Sequence, residues 1–228
     1  MISTILENIE KNNQENEKFV MQTKHMLLVN LNGSIYTKQG AMSAYQGEME
    51  FQFHGGGAKR MFKKIITGEN LNLMECSGRG DLFLADNGAD VHIVKLENEE
   101  LTVNSTNLLA FESELSWDVK RIKAGVMGLV AGGLFNTTIS GSGLAAVTSW
   151  GQPVVLEVNE PTYVDVNCAI AWSTSLDVSI HSSFKAGSII GRGSGEAFQM
   201  KFEGKGFVIV QPGEGLYAMV AMASTGRR

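Results

Sequence analysis

Proline is scarce in this chain, with three residues in 228, and cysteine scarcer still, with two. So few prolines leave little room for rigid extended linkers between separate domains. Cys76 and Cys168 show neither a CxxC pair nor any other ligand-like spacing, which argues against a disulfide framework and a zinc site. The four histidines, His25, His54, His92 and His181, never form HxH or HExxH, so a metal-dependent enzyme of the cupin or zincin kind is not expected. No G-x-x-x-x-G-K-[ST] phosphate loop and no nucleophile elbow in hydrolase context occur. The longest apolar run, Ala124 to Phe135, is interrupted by Gly125, Gly128, Gly132 and Gly133 and falls short of the roughly 20 residues that span a bilayer as a helix. Met1 to Lys18 is rich in Glu, Asn and Gln and lacks the basic and apolar regions of a signal peptide, so a cytoplasmic location is the expectation.

What is abundant is glycine, 26 residues, and it recurs in a pattern. Ser77-Gly78-Arg79-Gly80, Ser140-Gly141-Ser142-Gly143 and Glu203-Gly204-Lys205-Gly206 each precede an apolar run, and their first glycines are 63 residues apart both times. A second phrase keeps step: Ala44-Tyr45 to Met49, Ala110-Phe111 to Leu115 and Ala171-Trp172 to Leu176 share an alanine, an aromatic, a mostly polar stretch and an apolar residue. Regular copying at this scale means one supersecondary unit in tandem. Alternation at Phe198, Met200 and Phe202 and the turn residues at Asn32-Gly33, Asp86-Asn87-Gly88 and Pro212-Gly213 make the unit β. The expectation is a single all-β domain over 24–228, after a polar leader at 1–23. Its three repeats, at about 24–88, 89–151 and 152–213, precede a C-terminal tail and form a closed or sandwich-like body with pseudo-threefold symmetry. Tyr45, Phe111 and Trp172 are read as core residues at a strand–turn–strand corner, and the phrase glycines as bulges or close backbone approaches.

Charge is distributed unevenly. The connectors at 51–68, 117–133 and 178–195 hold nine basic residues against Asp118 alone, a net +8, which leaves −13 on the rest of a chain whose formal charge is −5. In the first, Lys59, Arg60, Lys63 and Lys64 surround Met61, Phe62, Ile65 and Ile66 at helical spacing; in the second, Lys120, Arg121 and Lys123 precede the glycine-interrupted apolar run. Basic residues interleaved with apolar ones suit an anionic lipid surface or an acidic partner. Lys59, Arg60, Phe62, Lys63, Lys64, Lys120, Arg121 and Lys123 are therefore the candidate binding residues. The alternative is that these lysines are solvated groups at the ends of the β body.

Several phrases together resemble the altered-inheritance-of-mitochondria type twenty-four family: Gln39-Gly40-Ala41-Met42 before Ala44-Tyr45, Ser140-Gly141-Ser142-Gly143, Tyr163-Val164-Asp165-Val166-Asn167 before Ala171-Trp172, and Phe202-Glu203-Gly204-Lys205-Gly206. The likeness spans about residues 24 to 212. It implies a fold related to the tryptophan RNA-binding attenuator protein, of the double-stranded β-helix type. It implies no catalytic residues and no cofactor. Mitochondrial members are associated with inner-membrane organisation; the polar start here suggests instead a bacterial member.

The function expected from the sequence is a non-enzymatic scaffold or interaction protein, a candidate homo-oligomer that meets an anionic membrane peripherally, or an acidic protein, through its connectors. A small-molecule binding module is the alternative, resting on fold analogy alone. DNA is not an expected partner, and the acidic total opposes RNA.

Overall fold

The computed structural model describes residues 17–54, 73–122, 135–181 and 199–214. These are all-β: fourteen strands in antiparallel pairings, with no helix among the described residues. In chain order they are β1 Phe19–Thr23, β2 Met26–Lys38, β3 Met42–His54, β4 Leu73–Leu84, β5 Asp90–Asn104, β6 Leu108–Glu112, β7 Ser116–Arg121 and β8 Phe135–Ser149. There follow β9 Val154–Val158, β10 Thr162–Asp165, β11 Ala169–Ser173, β12 Asp177–His181, β13 Gln199–Glu203 and β14 Gly206–Val210. The sheet thus begins at Phe19, inside the stretch read as a leader, because Phe19 and Val20 are buried and pair with Val29 and Leu28 of β2.

Period-two alternation explains the strands. In β2, Leu27, Val29, Leu31, Ile35 and Thr37 are all buried, whereas Asn32 is exposed and Ser34 half-buried. Full burial of each such aliphatic side chain contributes roughly 1.5–3 kcal/mol. Met200 and Phe202 of β13 are likewise wholly buried, as their alternation predicts. The buried residues gather in three clusters along the chain: one around Leu27, Ile35, Leu82 and Leu84, a second around Phe111, Ile139 and Ile170, and a third around Trp172, Met200 and Phe202.

The main sheet runs β3-β4-β2-β6-β8-β5-β11-β14-β9, with β1 added on β2 and β7 on β8. Its order is three triplets laid side by side: β3-β4-β2, β6-β8-β5 and β11-β14-β9. Two short seams join them. In the first, Ile35, Tyr36 and Thr37 of β2 face Glu112, Phe111 and Ala110 of β6; in the second, Leu101, Thr102 and Val103 of β5 face Ser173, Trp172 and Ala171 of β11. In the third triplet β10, β13 and β12 form a separate small sheet. Pro161, which has no N–H to give to a ladder, lies in the break between β9 and β10.

Three expectations are corrected. Asn32-Gly33 is not a hairpin: β2 passes through it, with Gly33 at φ +121° opposite Gly78, and the real turn is at Gln39-Gly40. The first aromatic phrase holds no turn either, since β3 is continuous through Gly47. The other two do turn, between β6 and β7 and between β11 and β12. Finally, Phe111 and Trp172 are buried, but Tyr45 is 46% exposed, because β3 lies at the end of the sheet and among the described residues has no strand beyond it. The expected close backbone approach is seen at Gly80, where a Cβ would overlap the Gln46 carbonyl oxygen.

Candidate interaction surface

Both ends of the main sheet carry exposed apolar side chains. At one end β3 presents Met42, Tyr45 and Phe53, the last 60% exposed. At the other, β9 shows Val154, Val155 and Leu156 to solvent, Val155 being 66% exposed, although it is hydrogen-bonded to β14 along one edge. Over Val154 to Glu157 both faces of β9 are exposed, and only Val158 at its end is buried, so neither Val154 nor Val155 finds the core that strand alternation offers elsewhere. Tyr163 of β10, 46% exposed, adds an aromatic beside this end, its ring edge-on to His181 at 5.2 Å. Tyr45 meets Phe51 in the same fashion, also at 5.2 Å.

The seams show what such residues do when covered. Tyr36 packs on Phe111 at 5.3 Å between ring centres, and Trp117 closes on both. Thr37 donates its hydroxyl to the buried Leu109 carbonyl at 3.0 Å, and Ser113 donates to Ser34 O at 3.0 Å. Apolar contact and backbone pairing thus act together at each junction.

Of the basic candidates, Lys59, Arg60, Phe62, Lys63, Lys64 and Lys123 lie outside the described residues. Lys120 and Arg121 are neighbours at the end of β7, where Arg121 is paired with Phe135. Lys120 is exposed, with its ammonium 3.5 Å from the Asp118 carboxylate, an ion pair open to water and worth little to stability. The sheet ends were not singled out in the sequence. The signal for β9 was present in Val154-Val155-Leu156, an unalternating apolar run directly after Pro153, a residue tolerated at strand starts and edges.

The titratable groups of the body are mostly absorbed in structure. Burial, with Glu75 adding to it, pushes the Cys76 thiol up to about 12, and burial beside Asp165 and Glu214 pushes Cys168 to about 11, so both stay protonated at neutral pH and lack the thiolate needed for nucleophilic attack. The buried Asp90 carboxylate lies 2.8 Å from the Lys24 ammonium and 3.1 Å from His25 Nδ1, which sets the β1–β2 turn against the start of β5. Among the described residues no group of three or more His, Cys, Asp and Glu is placed to hold a metal. A depression of about 510 Å³ lies along Tyr45, Gly47, Met49 and Gly78, at the β3 end of the sheet.

A family model described as Mitochondrial biogenesis AIM24 matches residues 18–213, from the residue before β1 to just beyond β14. The chain belongs to the AIM24 family. Both exposed sheet ends fall within the matched AIM24 region. The X-ray crystal structure of protein SPYM3_0169 from Streptococcus pyogenes is similar in fold, with a TM-score of 0.72 and 22% identity over 91% of this chain and 97% of that one. No curated protein matches the chain. Among the described residues of this AIM24 chain, no helix is long and apolar enough to cross a membrane.

Proposed function

We propose that this AIM24 chain is a non-enzymatic interaction protein, a scaffold that works through the ends of its sheet and through its basic connectors. The observation that carries the reading is the exposure of Val154, Val155 and Leu156 on β9 and of Met42, Tyr45 and Phe53 on β3. Single exposed apolar residues need no explanation, but runs of them on strand edges mark surfaces that meet another macromolecule. The connectors supply the second contact: Lys59, Arg60, Lys63 and Lys64 around Phe62 form a basic and apolar segment suited to an anionic lipid surface.

Sedimentation with vesicles tests the lipid arm. The full chain is mixed with phosphatidylcholine vesicles containing about a third phosphatidylserine, at low and at physiological salt. Binding is expected to be salt-sensitive, absent on pure phosphatidylcholine, and lost in the fourfold variant K59E/R60E/K63E/K64E. No binding by the parent chain, or equal binding by the variant, overturns the connector reading.

A further inference from the structure

The two seams follow one rule, and the two ends of the sheet are its unmatched halves. Within each triplet a central strand fixes equivalence. Tyr36 faces Glu75, Thr102 faces Thr138 and Tyr163 faces Lys201, and these three partners each lie three residues before the first glycine of a phrase, Gly78, Gly141 or Gly204. On the other side of the central strands, Tyr45 faces Leu82, Phe111 faces Ala145 and Trp172 faces Val208, each partner four residues after the same glycine. Tyr36, Thr102 and Tyr163 are thus equivalent positions, as are Tyr45, Phe111 and Trp172. The irregularity two residues before each aromatic repeats as well: the register shifts at Met42/Ala44, Leu108/Ala110 and Ala169/Ala171.

The seams join Tyr36 to Phe111 and Thr102 to Trp172. The third member of each set, Tyr163 and Tyr45, is paired across no seam in this chain: among the described residues β10 pairs only with β13, and β3 only with β4. Both tyrosines are 46% exposed, whereas Phe111 and Trp172 are 0% and 2% exposed. Ala44 is exposed, although its equivalents Ala110 and Ala171 are fully buried in the seams. β3 is also 13 residues long, with one edge unpaired among the described residues, and long open edges are ready templates for another strand.

We propose that a second copy of this chain docks head to tail, β3 of one copy adding to the β9–β10 end of the other, in the register Thr162 opposite Gln46, Tyr163 opposite Tyr45 and Val164 opposite Ala44. This rests on the interaction-protein reading above and names its partner at the sheet ends. The interface is the one already built twice within the chain, so its continuity with the two seams identifies the occupant. It is heterologous: each copy offers one β3 end and one β10 end, so copies add in series and close as a ring or continue as an open assembly.

Two single variants test it, with the mass in solution measured by light scattering after size exclusion. Tyr45→Lys and Tyr163→Lys each place a charge where the partner's ring packs, at half-exposed positions where the single chain is expected to stay folded, as a cooperative thermal transition of each variant checks. The parent is expected to be an assembly, and each variant alone to fall to the single-chain mass, with at least a tenfold rise in the concentration needed to assemble. Mixed one to one, the variants are expected to form a dimer and nothing larger, because each retains the end the other has lost. If Tyr45→Lys unfolds, Tyr45→Ser replaces it, removing the ring without adding a charge. A parent that is monomeric at about 100 μM, variants that assemble like the parent, or a mixture that stays monomeric each overturn the proposal. Vesicle binding reads the connectors independently, so its loss leaves this outcome intact and a monomeric parent leaves the vesicle result intact.

Discussion

Gln211 reaches across the join between the second and third triplets: its side-chain amide donates to the Asn167 carbonyl at 2.8 Å, while its oxygen accepts the Trp150 backbone N–H at 2.9 Å. Gln211 is 4% exposed, and beside it the Asn107 side chain donates to Thr148 O at 2.8 Å. One buried amide therefore ties the turn after β8 to the turn before β11.

Truncating that amide removes the side-chain partner of two partly buried backbone groups, which water can serve in part. The loss therefore sits at the low end of the roughly 1–3 kcal/mol of a buried unpaired group, and Gln211→Ala is expected to destabilise the chain by about 1 kcal/mol. For a chain of this size that lowers the melting temperature by roughly 2–4 °C. Thermal unfolding followed by circular dichroism measures it; an unchanged midpoint would show that the link between the two turns carries no stability.

The glycines of the first triplet separate space from backbone strain. Gly80 has φ +143° and its added Cβ would overlap the Gln46 carbonyl oxygen, whereas Gly33 has φ +121° and nothing within 4 Å. Gly33→Ala meets only the conformational penalty, about 1–2 kcal/mol. Gly80→Ala adds a clash with the backbone of β3 and is expected to cost about 3 kcal/mol or more. Urea titration of the two variants ranks them, and equal midpoints would contradict the close approach of β3 to β4.

His92 sets a pH dependence. Its Nε2 lies 2.7 Å from the Ser149 hydroxyl, which donates onward to Gly151 O at 2.7 Å, so the imidazole Nε2–H is the donor. Desolvation lowers its pKa below the ordinary value; Lys24 pushes the same way, and Asp90 opposes. A depressed folded pKa means that the unfolded chain takes up the proton first as pH falls. The stability is present in full above about pH 6.5, the unfolded value, and is lost progressively below it until the folded pKa is passed. His92→Gln is expected to flatten the fall in stability just below pH 6.5, measured by urea unfolding between pH 7.5 and 5; a slope identical to the parent's would assign that loss to other groups.

The strands were legible because alternation is local. Met200 and Phe202 bury as their spacing says, and the turn at Asp86-Asn87-Gly88 is made by positive φ at Asn87 and Gly88. The fate of Tyr45 was not legible. It stands in the same phrase as Phe111 and Trp172, and what buries those two is a strand of the preceding triplet, far away in sequence, for which β3 has no counterpart among the described residues. Asn32-Gly33 misled for a related reason: the glycine serves a neighbouring backbone at Gly78, a relation between strands that no window of sequence displays. The sheet ends are not legible in the sequence, because exposure at an edge is decided by which strand comes last. The basic candidates, Lys120 and Arg121 apart, fall outside the described residues, so their grouping rests on the sequence.

The direction of the seams has a consequence for how the chain is made. β6 pairs back onto β2 and β11 back onto β5, so every junction is formed by a strand that leaves the ribosome after the edge it joins. About 65 residues separate the end of β4 from the end of β8. At roughly 5–20 residues per second, the first triplet has on the order of 3–13 s to settle before the second is complete. Each finished triplet is then the template on which the next one nucleates, and the chain grows by accretion from its amino end.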